Sequence, residues 1–327
     1  MLEKNIRTRE QMIFYEEQIK EFENYKPKLT KARDFAQFWE DTLKESTETP
    51  LQIEMREIDY PISQIEAYSL LYKGFAGTPI NAFYILPKNQ TDKVPCIITF
   101  HGYGGNKGSI SNYMKWIIQG YAVLAVDCRG HGESAEDTHY SVGATGTWAT
   151  QGILDKYEYY YRKLYMDCKR AVDVVFTREE IDKSRICLLG ASLGGGISLA
   201  VAALDNRLSL VVADVPNMCN IELAIQQKFE GSLVSIENFM HRYPEKSKQV
   251  FETLSYFDNL NLAPKIKSKT RVSVAFKDLI CPPQSIYGVY SHIVAEKSII
   301  AYPFSGHDAP GIISHIDETI AYIKENL

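Results

Sequence analysis

The chain has 327 residues, with 36 Lys plus Arg against 41 Asp plus Glu, a formal net charge of −5. Hydrophobic residues make up 45% and charged residues 24%, values that permit a large core and exclude a disordered or low-complexity chain. The mild acidity lacks the basic stripe of a nucleic-acid binder, and no window offers the ~18 uninterrupted apolar residues of a membrane span.

Residues 1–50 are charged and helix-prone and read as an N-terminal extension. Pro27 ends one segment, and Lys31–Leu43 has helical spacing with Phe35, Phe38, Trp39 and Leu43 on one face. Met1–Lys20 lacks the apolar stretch of a secretory signal. The six cysteines are widely spaced with no C-x-x-C, so the expectation is reduced thiols in a cytoplasmic protein. Glu66–Tyr72 and Asn81–Leu86 are rich in β-formers, and Gly74, Gly77 and Pro79 between them predict a hairpin.

From Val94 onward strands and helices alternate. Strands are predicted at Cys96–Phe100, Tyr121–Val126, Arg185–Leu189, Leu208–Ala213, Arg271–Phe276 and Ser298–Tyr302. Helical spacing covers Leu164–Phe176, Ile197–Leu204 and Ile312–Leu327. Near-continuous apolar strands separated by helices imply an α/β fold, a mostly parallel sheet covered on both faces. Residues 215–262 interrupt the alternation and predict two or three inserted helices forming a small cap. The whole chain, 1–327, is read as one domain.

The strongest chemical signal is Gly190-Ala191-Ser192-Leu193-Gly194, directly after a strand and opening a helix. That context is a nucleophile elbow: a strained turn pushes the Ser192 hydroxyl out at the carboxyl edge of the sheet. Gly190 and Gly194 permit close backbone approach, and the helix aims its free N–H groups at the reacting oxygen. A serine hydroxyl needs a base to take its proton. Asp278 and His307 follow Ser192 in the required order, each on a loop leaving a strand's carboxyl end. Asp214, which also ends a strand, is the competing acid; His292 and His315 fall within helices. His101-Gly102-Tyr103-Gly104-Gly105 occupies the place of a second oxyanion donor, so the backbone N–H groups of Tyr103 and Leu193 are expected to face the developing charge. In the polar loop 127–134 and just beyond it, His131, Glu133, Asp137 and His139 lie close enough to suggest a metal site. A structural role is preferred there, with Arg129 pairing with carboxylates; neither a metal nor an organic cofactor is expected.

These motifs resemble the acetyl xylan esterase/cephalosporin-C deacetylase family, carbohydrate esterase family 7, on the α/β-hydrolase fold. The resemblance runs from about Tyr25 to the C-terminus and is carried by Gln151-Gly152-Ile153-Leu154-Asp155-Lys156 leading into Tyr159-Tyr160-Tyr161-Arg162. Thr253-Leu254-Ser255-Tyr256-Phe257-Asp258 and Asn261-Leu262-Ala263 are similar to a second family segment. The resemblance implies Ser192, Asp278 and His307 as the triad and Tyr103 as the oxyanion-hole tyrosine. The sequence departs from the family at Leu193, usually Gln, at His131 in Arg129-Gly130-His131, and at Asp308 after His307. The expected function is hydrolysis of short acetyl esters on sugars or related small molecules through an acetyl-enzyme. Leu193, Tyr103 and Trp148, the last in Gly146-Thr147-Trp148, are expected to wall a small acyl pocket. A homo-oligomer, a hexamer in the family's pattern, is the implied assembly, with neither nucleic acid nor membrane as partner. A broader carboxylesterase, a serine peptidase and a non-catalytic binding protein on the same scaffold are the alternatives.

Overall fold

The computed structural model describes residues 14–143 and 147–327. Residues 1–13 of the expected extension, and Gly146 of the expected acyl-pocket loop, lie outside the described residues. One nine-stranded sheet organises the rest: β1 (Glu54–Ile58), β2 (Ile65–Lys73), β3 (Pro79–Pro87), β4 (Val94–Phe100), β5 (Ala122–Val126), β6 (Ile181–Ala191), β7 (Leu210–Asp214), β8 (Lys269–Ala275) and β9 (Lys297–Tyr302). Their spatial order is β1-β2-β3-β5-β4-β6-β7-β8-β9. β1, β2 and β3 form an antiparallel ribbon joined antiparallel to β5, and from β5 to β9 every pairing is parallel. The predicted strands and hairpin are all present. β1 is the strand that patterning missed: its residues EMREI are exposed or half-buried at the sheet edge, so no apolar run marks it.

The parallel strands lack alternation because helices cover both faces. β5 (AVLAV) and β7 (LVVAD) are buried at every residue. The helices in chain order are α1 (residues 14–23, its described part), α2 (Phe35–Glu48), α3 (Met114–Ile117), α4 (Tyr160–Thr177), α5 (Leu193–Leu204), α6 (Ile221–Gln227), α7 (Ser232–Arg242), α8 (Ser247–Leu254), α9 (Asn259–Leu262), α10 (Pro283–His292) and α11 (Ile313–Asn326). α5 is apolar nearly all round (LGGGISLAVAAL) and is buried against β6, β7 and α4. α2 begins at Phe35 rather than Lys31 and runs to Glu48.

The N-terminal segment is fastened to the body. Trp39 donates its indole N–H to the Tyr256 carbonyl at 3.0 Å, and Phe38 packs on Tyr256 and Phe257. The backbone N–H of Thr30 reaches the Asn261 side chain at 2.9 Å. Between β7 and β8 lie four helices, α6 to α9, where two or three were expected. α9 packs against α5, and Asn259 donates to the Gly196 carbonyl at 3.1 Å. This last part of the insertion is therefore core, and only its earlier helices border the carboxyl edge of the sheet.

Candidate active site

Ser192 sits between β6 and α5 with φ 58° and ψ −119°, a conformation that L-residues avoid unless the surroundings enforce it. Three backbone hydrogen bonds enforce it here. The Ser192 N–H donates to the Asp214 carbonyl at 2.9 Å, and the Ser192 carbonyl accepts from Asn217 at 2.9 Å and Gly196 at 3.0 Å. The flanking glycines are sterically required: a Cβ on Gly190 would lie 2.4 Å from the Gly194 carbonyl carbon, and one on Gly194 would lie 2.0 Å from the Phe100 carbonyl oxygen.

Asp278 follows β8 and His307 follows β9, and the structure joins them. His307 Nδ1 lies 2.8 Å from Asp278 Oδ2. The other carboxylate oxygen accepts the backbone N–H groups of Ile280 and Cys281 at 2.8 and 2.9 Å. The two loops are tied by Lys277 N–H donating to the Ser305 carbonyl at 3.0 Å. The Asp278 side chain is sealed from solvent while that of His307 is 26% exposed, so the carboxylate is held in place and the imidazole faces outward. Ser192 and His307 line one cavity of about 430 Å³ together with Gly102, Tyr103, Thr147, Asn217, Ser232, Ser235 and Ile280. Neither Tyr103 N–H nor Leu193 N–H donates to any group among the described residues, which leaves both free. Asp214 is engaged elsewhere, its carboxylate 3.1 Å from His315 Nε2, while His315 Nδ1 meets the Tyr302 hydroxyl at 2.7 Å.

Two expected wall residues are placed differently. Leu193, the first residue of α5, is fully buried in the main core and does not line the cavity. The turn that exposes Ser192 drives the next side chain inward, so Leu193 faces the cavity with no side chain and offers only its N–H. Trp148 also stands back. Its ring stacks on His131 at 3.9 Å and meets Tyr103 edge-on at 5.3 Å, while its neighbour Thr147 takes the lining position. Tyr103 does line the cavity, and its hydroxyl also orders the 147–149 segment. It accepts from Trp148 N–H at 2.9 Å and Ala149 N–H at 3.3 Å and pairs with the Thr147 hydroxyl at 3.1 Å. The lining residues Asn217, Ser235 and Ile280 carried no motif that singled them out, and Thr147 entered only as the neighbour of Trp148.

The residues considered for a metal around 131–139 are dispersed. Glu133 pairs with Lys107 at 2.5 Å, Asp137 accepts from Thr78 at 2.5 Å, and His131 lies under Trp148. Arg129 is fully buried and binds Asp167 at 2.7 and 3.0 Å, Thr78 at 2.8 Å and the Phe75 carbonyl at 3.0 Å, joining the β2–β3 connection to α4. Asp278, Cys281 and His307 bring donor atoms within 4.8 Å of one another. Both Asp278 oxygens are already committed, and burial pushes the Cys281 thiol well up, away from the thiolate a metal needs. Cys281 thus flanks the Asp278–His307 pair as a protonated neighbour.

The inserted helices are stitched to the Asp278 loop. Phe229 N–H and Glu230 N–H both donate to the Leu279 carbonyl, at 2.8 and 3.1 Å. Among the described residues no helix is long and apolar enough to cross a membrane.

Comparison with known proteins gives this arrangement a family. The chain is similar to acetyl esterase Axe7A of Xylanibacter ruminicola, 25% identical over 292 residues, which cover 86% of this chain and 65% of that protein's length. Among solved structures, an acetyl xylan esterase from a Paenibacillus species superposes with a TM-score of 0.91 at 37% identity, covering 94% of this chain and 99% of the other. Acetyl xylan esterase 1 from a Thermoanaerobacterium species superposes with a TM-score of 0.88 at 28% identity, covering 94% and 98%. The acetyl xylan esterase family profile matches residues 12–326. This chain, built on the α/β-hydrolase fold, belongs to the acetyl xylan esterase family, a family of carboxylic ester hydrolases.

Proposed function

We propose that the protein is a serine esterase that removes acetyl groups from sugars through an acetyl-enzyme. The observation that carries this reading is a strained, half-buried Ser192 sharing a cavity with His307, whose Nδ1 is held by the buried Asp278. With Nδ1–H donated to Asp278, Nε2 is left as the acceptor for the Ser192 proton. Ser192 Oγ attacks the ester carbonyl, and the free N–H groups of Tyr103 and Leu193 stabilise the oxyanion. His307 gives the proton to the departing sugar oxygen, which leaves as a hydroxyl. Water, deprotonated by His307, then attacks the acetyl-Ser192 ester; acetate leaves and His307 returns the proton to Ser192 Oγ. Every group required is supplied by the chain.

Acetyl esters are the preferred class, with cephalosporin C as a further substrate of this kind. The helices early in 215–262 act as the cap over the cavity, and the chain works as one domain. Assembly into a homo-oligomer is part of the proposal, supported by the family's hexameric pattern; light scattering returning 37.2 kDa at all concentrations would refute it. Six free, buried cysteines support a reducing, cytoplasmic location, which cell fractionation tests. The central experiment is turnover of p-nitrophenyl esters with fluorophosphonate labelling. Ser192→Ala should abolish both, and His307→Ala should cost nearly as much, because such residues act as a unit. Asp278→Asn should lower kcat by roughly 10³–10⁴-fold. From acetyl to octanoyl, kcat/KM should fall at least about tenfold. Labelling that survives in Ser192→Ala, or a rising chain-length series, refutes the reading.

A further inference from the structure

A second cavity, of about 600 Å³, adjoins the reaction cavity; Thr147 and Ser235 line both. It opens between α7 and residues 141–143, Thr147 and Leu154. Phe239 and Tyr243 present an aromatic pair to it, with ring centroids 5.2 Å apart. Among the described residues its charged lining is Arg242 and Lys246, with no carboxylate. Neither cation is in an ion pair with any described residue. The turn that carries them is ordered by Tyr243 N–H donating to the Phe239 carbonyl at 2.9 Å and Lys246 N–H donating to the Tyr243 carbonyl at 3.0 Å. Two unneutralised cations on one cavity wall contrast with the chain's net charge of −5.

We infer that this cavity is the leaving-group subsite and that it selects acetylated oligosaccharides carrying a carboxylate, such as a uronic acid branch. The inference rests on the esterase reading above, which places the acetyl group at Ser192 and sends the alcohol part past Thr147 and Ser235. A ligand site of this size is expected to combine apolar faces with a few placed polar groups. The Phe239–Tyr243 pair offers apolar surface to the C–H face of a sugar ring, and the Ser235 and Thr147 hydroxyls offer hydrogen bonds. Neutral saccharides need nothing more. Arg242 and Lys246 add recognition of an anion: a guanidinium fork matches a carboxylate in two parallel hydrogen bonds, and the ammonium adds a second charge. The leaving group gains this attraction when the ester is seated, and short esters without a saccharide do not reach it.

The test compares kcat/KM for an acetylated xylo-oligosaccharide bearing a uronic acid with that for its neutral counterpart. The wild-type ratio should be at least about fivefold and should shrink between 0.05 and 0.5 M NaCl, as screening of exposed charges requires. In the Arg242→Gln/Lys246→Gln double variant the ratio should fall to about one. Calorimetry with the deacetylated acidic oligosaccharide and Ser192→Ala supplies a readout independent of turnover, and this binding should disappear when the double substitution is added. Equal kcat/KM for the two substrates in wild type, or a preference that persists in the double variant, overturns the subsite. Absent p-nitrophenyl acetate turnover combined with cation-dependent binding would instead overturn the esterase reading and leave the subsite standing.

Discussion

Substituting Tyr103 by Phe separates two roles that this residue could play in the reaction. Its hydroxyl accepts Trp148 N–H at 2.9 Å and Ala149 N–H at 3.3 Å. Ala149 N–H keeps a second acceptor in Thr147 Oγ1 at 3.2 Å, but Trp148 N–H loses its acceptor altogether. An unsatisfied, half-buried donor costs about 1–3 kcal/mol. The Tyr103 main chain, whose N–H donates to no described group, is unchanged by the substitution. Tyr103→Phe should therefore lower the free energy of unfolding by about 1–2 kcal/mol and reduce kcat on p-nitrophenyl acetate by less than about tenfold, through a looser Thr147 wall. Were the hydroxyl itself a donor to the oxyanion, kcat would fall about 10²–10³-fold with stability nearly intact. Urea unfolding and steady-state kinetics on the same preparation decide between them. A large kcat loss at wild-type stability would refute the assignment of the hydroxyl to the 147–149 segment.

Arg129→Met leaves Asp167 buried without its guanidinium partner, so the unfolding free energy should drop by about 3–5 kcal/mol. An unfolding free energy from urea titration within about 1 kcal/mol of wild type would show that the pair does not hold the β2–β3 connection to α4. Asp258 is buried, and burial pushes its carboxyl up to about 6 against three backbone N–H bonds from Leu260, Ile221 and Asn220. A carboxyl whose folded pKa exceeds the ~3.9 of the unfolded chain contributes stability that is fully present below about pH 4 and is lost as pH rises through about 6. Relative to Asp258→Asn, the wild type should therefore lose about 2 kcal/mol of stability between pH 4.5 and 7.5. Parallel stability profiles for the two proteins would count against the raised carboxyl.

Much of the architecture is written in local pattern. The parallel strands are short apolar runs, and Ser192, Asp278 and His307 lie just beyond the carboxyl ends of β6, β8 and β9. Strand order then brings them together, since β6, β7, β8 and β9 are consecutive neighbours. Side-chain direction was harder to read. Leu193 adjoins the nucleophile in sequence, yet the elbow rotates it into the core. Trp148 carries the size expected of a wall, yet the His131 ring captures it and Thr147 takes the lining position. β1 carries no apolar run because every residue of this edge strand is exposed or only half-buried. The inserted helices α6 to α9 are short, with four to eleven residues each, so periodicity alone does not separate their number. The second cavity depends on α7 meeting a loop about 90 positions earlier in the chain, a juxtaposition that local pattern does not encode.

The two hydrogen bonds from Phe229 and Glu230 to the Leu279 carbonyl have an evolutionary consequence. Leu279 follows Asp278 directly, and the next two N–H groups hold Asp278 Oδ1. Swinging the inserted helices outward to admit a bulkier alcohol would pull on the same few peptides that fix the carboxylate against His307. Access and reactivity are thus mechanically coupled, and variants that gain substrate breadth by loosening this seam should lose turnover on every ester at once. Broader scope is open by a different route, exchange of exposed side chains on α7, whose Asn238 and Arg242 border the second cavity and touch none of the seam's hydrogen bonds.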